Sequence, residues 1–253
     1  MAAIAALVAP VFDAAENSSS LIASRHPVVV QGVEYEIPKF LLLGERGGGK
    51  PIRIGLFAGF EPGQATTVVA LAQLLLDLKA SPALTRDYAL LAYPVVHLGG
   101  FADKPVPLAD FERRLAKDSA DADVQFFQGE LRRWAFDGLL SVRNDAKSSG
   151  FHASVRSKVI AEEVVEPALA AAAAALPLAT QAVKVRPEDR YARAADYAHG
   201  RLSAPSEVRP YPFEVELFVP RAQPEDEQVN GLFVAITEIL RHYRAFIAHA
   251  SDL

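Results

Sequence analysis

The chain has no cysteine. Disulfides, thiolate metal sites and a cysteine nucleophile are therefore excluded, and the composition fits a reducing compartment, so a cytoplasmic location is expected. There is no cluster of basic residues either: 26 Lys and Arg face 31 Asp and Glu, for a formal net charge of −5. Without a Lys/Arg patch to track phosphates, nucleic acid is not expected as a partner. No lysine or arginine precedes the apolar stretch at residues 1–12. The positive region of a secretory signal is missing, and a short amphipathic helix is expected there instead. Long apolar runs are lacking too: the Ala-rich stretch 168–176 stops at Pro177. That is well short of the ~20 residues that cross a bilayer, so no membrane partner is expected. No Gly/Ser/Pro-rich linker and no internal repeat divides the chain.

What is there suffices for a large core. Of 253 residues, 51% are hydrophobic, enough for one α/β domain over 1–253. Residues 3–15 read as a helix, within an N-terminal lead-in covering 1–34. Residues 27–30 and 33–43 read as strands, the second carrying Phe40, Leu41, Leu42 and Leu43 in a row. Residues 52–57 alternate and then become wholly apolar, as suits a central strand covered on both faces. Residues 66–78 have helical spacing of Val69, Leu71, Leu74, Leu75 and Leu78. Another buried strand, 88–96, ends at His97. Helices are predicted over 106–117 and 122–135, then a core strand over 136–142 and a polar loop to Gly150. The helix predicted over 159–176 contains Pro167, where a kink or break is expected. Residues 177–210, rich in Arg, Asp, Tyr and Pro, read as an irregular excursion. A last strand, 213–219, precedes a long helix over 225–250 with Leu232, Ile236, Ile239, Leu240, Tyr243 and Ile247 on one face. Strands separated by helices predict an α/β fold: three α/β/α layers around a mostly parallel mixed central sheet.

One motif is a decoy. Gly44-Glu45-Arg46-Gly47-Gly48-Gly49-Lys50-Pro51 nearly matches a phosphate-binding loop. However, Pro51 stands where a Ser/Thr must hold magnesium, and the segment opens the strand at Ile52 rather than a helix whose amides would cradle phosphate. A turn between strands is expected.

Four other stretches, in order, carry a resemblance. They are Ala58-Gly59-Phe60-Glu61-Pro62-Gly63-Gln64-Ala65 after a strand; Tyr93-Pro94-Val95-Val96-His97-Leu98-Gly99-Gly100-Phe101; Asp137-Gly138-Leu139-Leu140-Ser141-Val142-Arg143; and Pro212-Phe213-Glu214-Val215-Glu216-Leu217-Phe218-Val219-Pro220. Their framework resembles the zinc carboxypeptidase superfamily, with the branch of succinylglutamate desuccinylase and aspartoacylase nearest, over roughly residues 35–245. The resemblance implies a zinc-carboxypeptidase-like fold and zinc-dependent hydrolase ancestry. In that alignment, Glu61 takes the place of the first zinc His, Gln64 the ligand Glu and Arg143 the second zinc His. Phe218 takes the catalytic Glu, and His97 takes an Asn before Pro. The substrate motif Asp-Leu-Asn-Arg has a ragged counterpart in Asp110-Phe111-Glu112-Arg113. In another register Glu61 is the ligand Glu, but the His slot is then Ala58. A slip of the last strand by two puts Glu216 in place of Phe218. No register restores the family's ligand set of two His and one Glu, so zinc, expected for the family, is not expected here, nor is another cofactor.

The substitutions balance in charge. Zinc with its ligand Glu and catalytic Glu sums to zero; so do Glu61 and Arg143. A Glu61–Arg143 ion pair across the former metal site is one expectation. The alternative is that Glu61 sits at a helix N-terminus and Arg143 points to solvent. His97, Asp145 and Phe218 complete the expected pocket, and Arg113 with Arg143 offers contacts to an anion. His152 could face the same cleft. Arg186, Arg190, Arg193, Arg201 and Arg209 are either carboxylate contacts or surface charges. A triad of Ser141, His97 and Asp145 lacks a Gly-x-Ser-x-Gly elbow.

Three functions compete. The first is an inactive relative that binds an acidic small molecule or a peptide terminus through Arg143 and Arg113. The second is an active hydrolase with non-standard ligands such as Glu61, His97 and His152. The third is a structural subunit partnering an active paralogue.

Overall fold

The computed structural model describes residues 2–60, 65–101, 105–115, 117, 119–186 and 213–250. Eight strands form one mixed sheet in the order β1-β2-β4-β3-β5-β8-β6-β7. They are β1 (Leu21–Val30), β2 (Val33–Leu43), β3 (Ile52–Phe57), β4 (Tyr88–Tyr93), β5 (Gly138–Asp145), β6 (Phe151–Val155), β7 (Leu178–Val185) and β8 (Phe213–Pro220). The neighbours β4/β3, β3/β5, β5/β8 and β6/β7 run parallel; β1/β2, β2/β4 and β8/β6 are antiparallel. Every residue of β4 is buried, as expected of a central parallel strand covered on both faces. The β1–β2 hairpin turns through Gln31 and Gly32, whose φ values of 53° and 79° match the left-handed turns that suit hairpin twist.

The helices are α1 (Ala2–Glu16), α2 (Ala65–Ala80), α3 (Pro82–Thr85), α4 (Leu108–Leu115), α5 (Ala122–Trp134), α6 (Lys158–Ile160), α7 (Glu166–Ala172) and α8 (Glu225–Ala250). They cover both faces of the sheet. On one face α8 packs on α2 and α7, and α1 packs on α2. Tyr243 of α8 meets Phe213 of β8 edge-on at 4.3 Å between centroids. On the other face Phe127 of α5 meets Tyr93 at 5.6 Å and Phe57 at 6.5 Å. Because side chains alternate along a strand, Phe213, Val215 and Leu217 point to the α8 layer. Glu214, Glu216 and Phe218 point to the layer of α4 and α5. The sheet thus sends buried charge to the second face only.

The structure corrects the sequence reading in two places. Residues 178–185, read as part of an irregular excursion, form the edge strand β7, which runs parallel to β6. Burial along β7 runs in pairs, with Leu178, Ala179, Ala182 and Val183 half-buried and Thr180, Gln181, Lys184 and Val185 exposed, so the period-two signal of a strand is missing. The rest of the excursion, 187–210, lies outside the described residues. Strand β6 was missed, because His152 and Ser154 interrupt a run of five buried residues too short to read by pattern. The interruption expected at Pro167 is present: a π turn at Ala161–Val165, with the Glu166 N–H bonded to the Ala161 carbonyl, separates the segments, and α7 opens at Glu166 with the proline in its first turn.

Candidate functional site

Beyond the last paired residues of β3 and β4, the two chain segments stay zipped together. Ala58 N donates to Tyr93 O at 3.0 Å, Val96 N to Ala58 O at 3.1 Å and His97 N to Gly59 O at 3.3 Å. Gly59 makes this approach possible. Its φ is 64°, and a Cβ there would stand 2.4 Å from the Pro94 carbonyl oxygen. The turn sets Phe60 beside His97, whose Nδ1 lies 2.9 Å from Phe60 O.

Arg143 projects from β5 onto this turn. Its guanidinium carbon lies 4.6 Å from the centre of the Phe60 ring. Its Nη2 contacts Glu112 Oε1 on α4 at 2.5 Å and Glu216 Oε1 on β8 at 3.3 Å. The second oxygen of Glu216 is held by Arg186. One step along β8, Arg156 Nε lies 3.4 Å from Glu214 Oε2. Among the described residues the cluster is three arginines against three glutamates, which balance in charge. Neutrality is required, since the side chains of Arg143 and Glu216 are only 16% and 8% exposed and an unpaired charge at that depth is costly. Glu112 is the more open partner, 36% exposed. The adjoining cavity, lined by Phe57, Phe60, Phe111, Glu112, Ser141 and Arg143, measures about 50 Å³. It has room for a few water molecules while Glu112 stays on Arg143.

The other predicted residues fall as follows. Glu61 and Gln64 lie outside the described residues, and so does the Glu61–Arg143 pair. Arg143 does not point to solvent; it is paired with Glu112 and Glu216. Phe218 lies opposite Arg143 on β8 and stacks flat on His152 of β6, at 4.9 Å and 9°. Asp145 Oδ2 is 3.9 Å from His152 Nε2. Arg113 stands apart, 64% exposed and paired with Asp110 at 2.9 Å one helical turn away. His97 is buried against Phe111, ring centroids 4.7 Å apart, and borders a second cavity on the far side of that ring. Burial pushes the imidazole pKa of both His97 and His152 down, against the hydrogen bonds to Phe60 O and Gly150 O that oppose it.

The Ser141, His97 and Asp145 triad is therefore not assembled. Asp145 faces His152 instead. Ser148 Oγ lies 3.3 Å from His152 Nδ1, but its hydroxyl donates to Gly150 O at 2.6 Å and is not available for attack. Among the described residues no group of three or more His, Asp or Glu is placed to hold a metal. Arg186, offered by the sequence as a carboxylate contact, is one, on Glu216; sequence reasoning missed Glu112 as a partner of Arg143 and missed Arg156 altogether. The only signal was period two: Glu214, Glu216 and Phe218 had to share one face of β8.

No protein-family model matches the chain, and no curated protein does. Solved structures do match. A metallo-carboxypeptidase from Burkholderia cenocepacia is similar with a TM-score of 0.69 at 14% identity, covering 96% of this chain and 68% of that one. A metallo-carboxypeptidase from Pseudomonas aeruginosa, in complex with (2-guanidinoethylmercapto)succinic acid, gives 0.62 at 15% identity, covering 92% and 68%. Bovine thrombin-activatable fibrinolysis inhibitor, in complex with tick carboxypeptidase inhibitor, gives 0.63 at 11% identity, covering 96% of each chain. The fold is thus that of the metallo-carboxypeptidases.

Proposed function

We propose that this chain is an inactive, metal-free binding or scaffold protein on a carboxypeptidase fold, related to the succinylglutamate desuccinylase and aspartoacylase branch. One observation carries the reading: Arg143, aligned with the second zinc His of that branch, is clamped between Glu112 and Glu216. A guanidinium stays protonated at any physiological pH and has no lone pair to offer a metal. It is also a fixed positive charge that a dication would have to approach. Swinging it away would leave Glu216 with Arg186 alone at a buried position. Phe218, in the place of the catalytic Glu, offers neither a base nor a ligand. The described residues at these positions do not fit zinc.

The expected ligand is an acidic small molecule or a peptide terminus. It reaches Arg143 only by displacing Glu112, the more exposed carboxylate. The test is hydrolysis of N-acyl amino acids and C-terminal peptide bonds, with and without added zinc. The reading expects no turnover in either case. Zinc-dependent turnover that a chelator abolishes would contradict it.

A further inference from the structure

We propose that the second cavity, between His97 and Asp123, binds a small primary amine through its ammonium group. This site is separate from the Arg143 cluster and does not depend on the reading of that cluster. The cavity measures about 200 Å³ and lies between the end of β4, α4 and the start of α5. His97 is 1% exposed, and among the described residues its Nε2 has no hydrogen-bond partner. A carbonyl oxygen can only accept, so the 2.9 Å contact to Phe60 O places the ring proton on Nδ1. Burial keeps the ring neutral, and Nε2 is left as an acceptor. Gly99 leaves space beside it: a Cβ there would come within 3.6 Å of Nε2.

Asp123 supplies the charge. It is 5% exposed, and among the described residues its carboxylate accepts from backbone N–H groups alone, that of Val124 at 2.9 Å and its own. The cation at this cavity, Arg114, is engaged by Asp121 at 2.7 Å. Among the described residues no salt bridge reaches Asp123. A buried acid without a cation and a buried imidazole without a donor thus border one cavity. A single ligand satisfies both if it carries one positive charge and several N–H donors. An anion would meet uncompensated negative charge, and a metal would lack a third ligand among the described residues.

The test is imidazole ¹⁵N NMR of the full chain titrated with ethanolamine, with acetate as the contrasting probe. The expected result is a saturable shift of His97 Nε2 with ethanolamine and none with acetate. Affinity should fall by about tenfold or more in Asp123→Asn, which removes a charged hydrogen bond. Gly99→Ala, which places a methyl against Nε2, should abolish the shift while leaving the amide spectrum in place. It also stands as the test if Asp123→Asn does not fold. The absence of a saturable shift (Nε2 then meeting water alone), an equal response to acetate, or full binding in either folded variant would overturn the proposal.

Discussion

At the scale of single residues, the clamp on Arg143 sets unequal costs for its members. Arg143→Met leaves Glu112 without a cation and Glu216 with Arg186 only, and should lower stability by about 3 kcal/mol in urea unfolding. Glu112→Gln removes the half-exposed partner and should cost under about 1 kcal/mol. It also uncovers the outer edge of the guanidinium, so succinate should raise the melting temperature of Glu112→Gln more than that of the wild type. Equal shifts would remove the displacement idea. The sequence pointed to Arg143 as a charge needing a carboxylate, but not to Glu112 or Glu216 as its partners. Those contacts depend on the β5–β8 register and on how α4 docks, and neither leaves a mark in one sequence.

The buried imidazoles predict a pH dependence at the same scale. His97 and His152 are both held below the ordinary histidine pKa of about 6.5, by burial first. The folded state therefore prefers the neutral rings, and the unfolded state takes up protons more readily. Their contribution to stability is fully present above about pH 6.5 and is lost as pH falls below it. Unfolding should take up protons in that window, seen as a slope of unfolding free energy against pH. His152→Phe, which keeps the flat stack on Phe218, should reduce the slope. An unchanged slope would show that His152 titrates alike in both states.

At the scale of elements, the turn from β3 to Phe60 is the least replaceable piece. Gly59→Ala combines a left-handed φ with a Cβ 2.4 Å from the Pro94 carbonyl oxygen. It should cost about 2 kcal/mol or more, checked by denaturant unfolding, and should loosen the contact between Phe60 and Arg143. The long, strongly patterned elements were legible: β2, β3, β4, α2, α5 and α8 follow directly from apolar spacing. The strands near the far edge were not. Strand β6 is short and carries polar residues that face other protein groups, while β7 is half-buried in pairs and shows no period-two pattern. The interruption near Pro167 was legible, because a proline inside a helical pattern removes a donor from the ladder.

At the scale of the whole molecule, the layering of helices and sheet was legible because alternating strands and helices admit few arrangements. Four weak landmarks in the right order pointed to the same fold that solved metallo-carboxypeptidases share at 11–15% identity. Chemistry does not travel with a fold at such distance. It rests on a handful of side chains, and in the proposed alignment Arg143 and Phe218 take the places of a zinc ligand and the catalytic base. If the alignment of positions is right, Glu61→His, Gln64→Glu, Arg143→His and Phe218→Glu together should create zinc affinity that the wild-type chain lacks, measured by calorimetric titration. Zinc affinity equal to that of the wild type would place the ancestral site elsewhere.

The most direct test of the central claim is the metal content of the wild-type chain, purified without chelators, dialysed against zinc and read by plasma mass spectrometry. The account predicts substoichiometric zinc. One tightly held zinc per chain would contradict it, and Glu61, His97 and His152 would then be the residues to replace first.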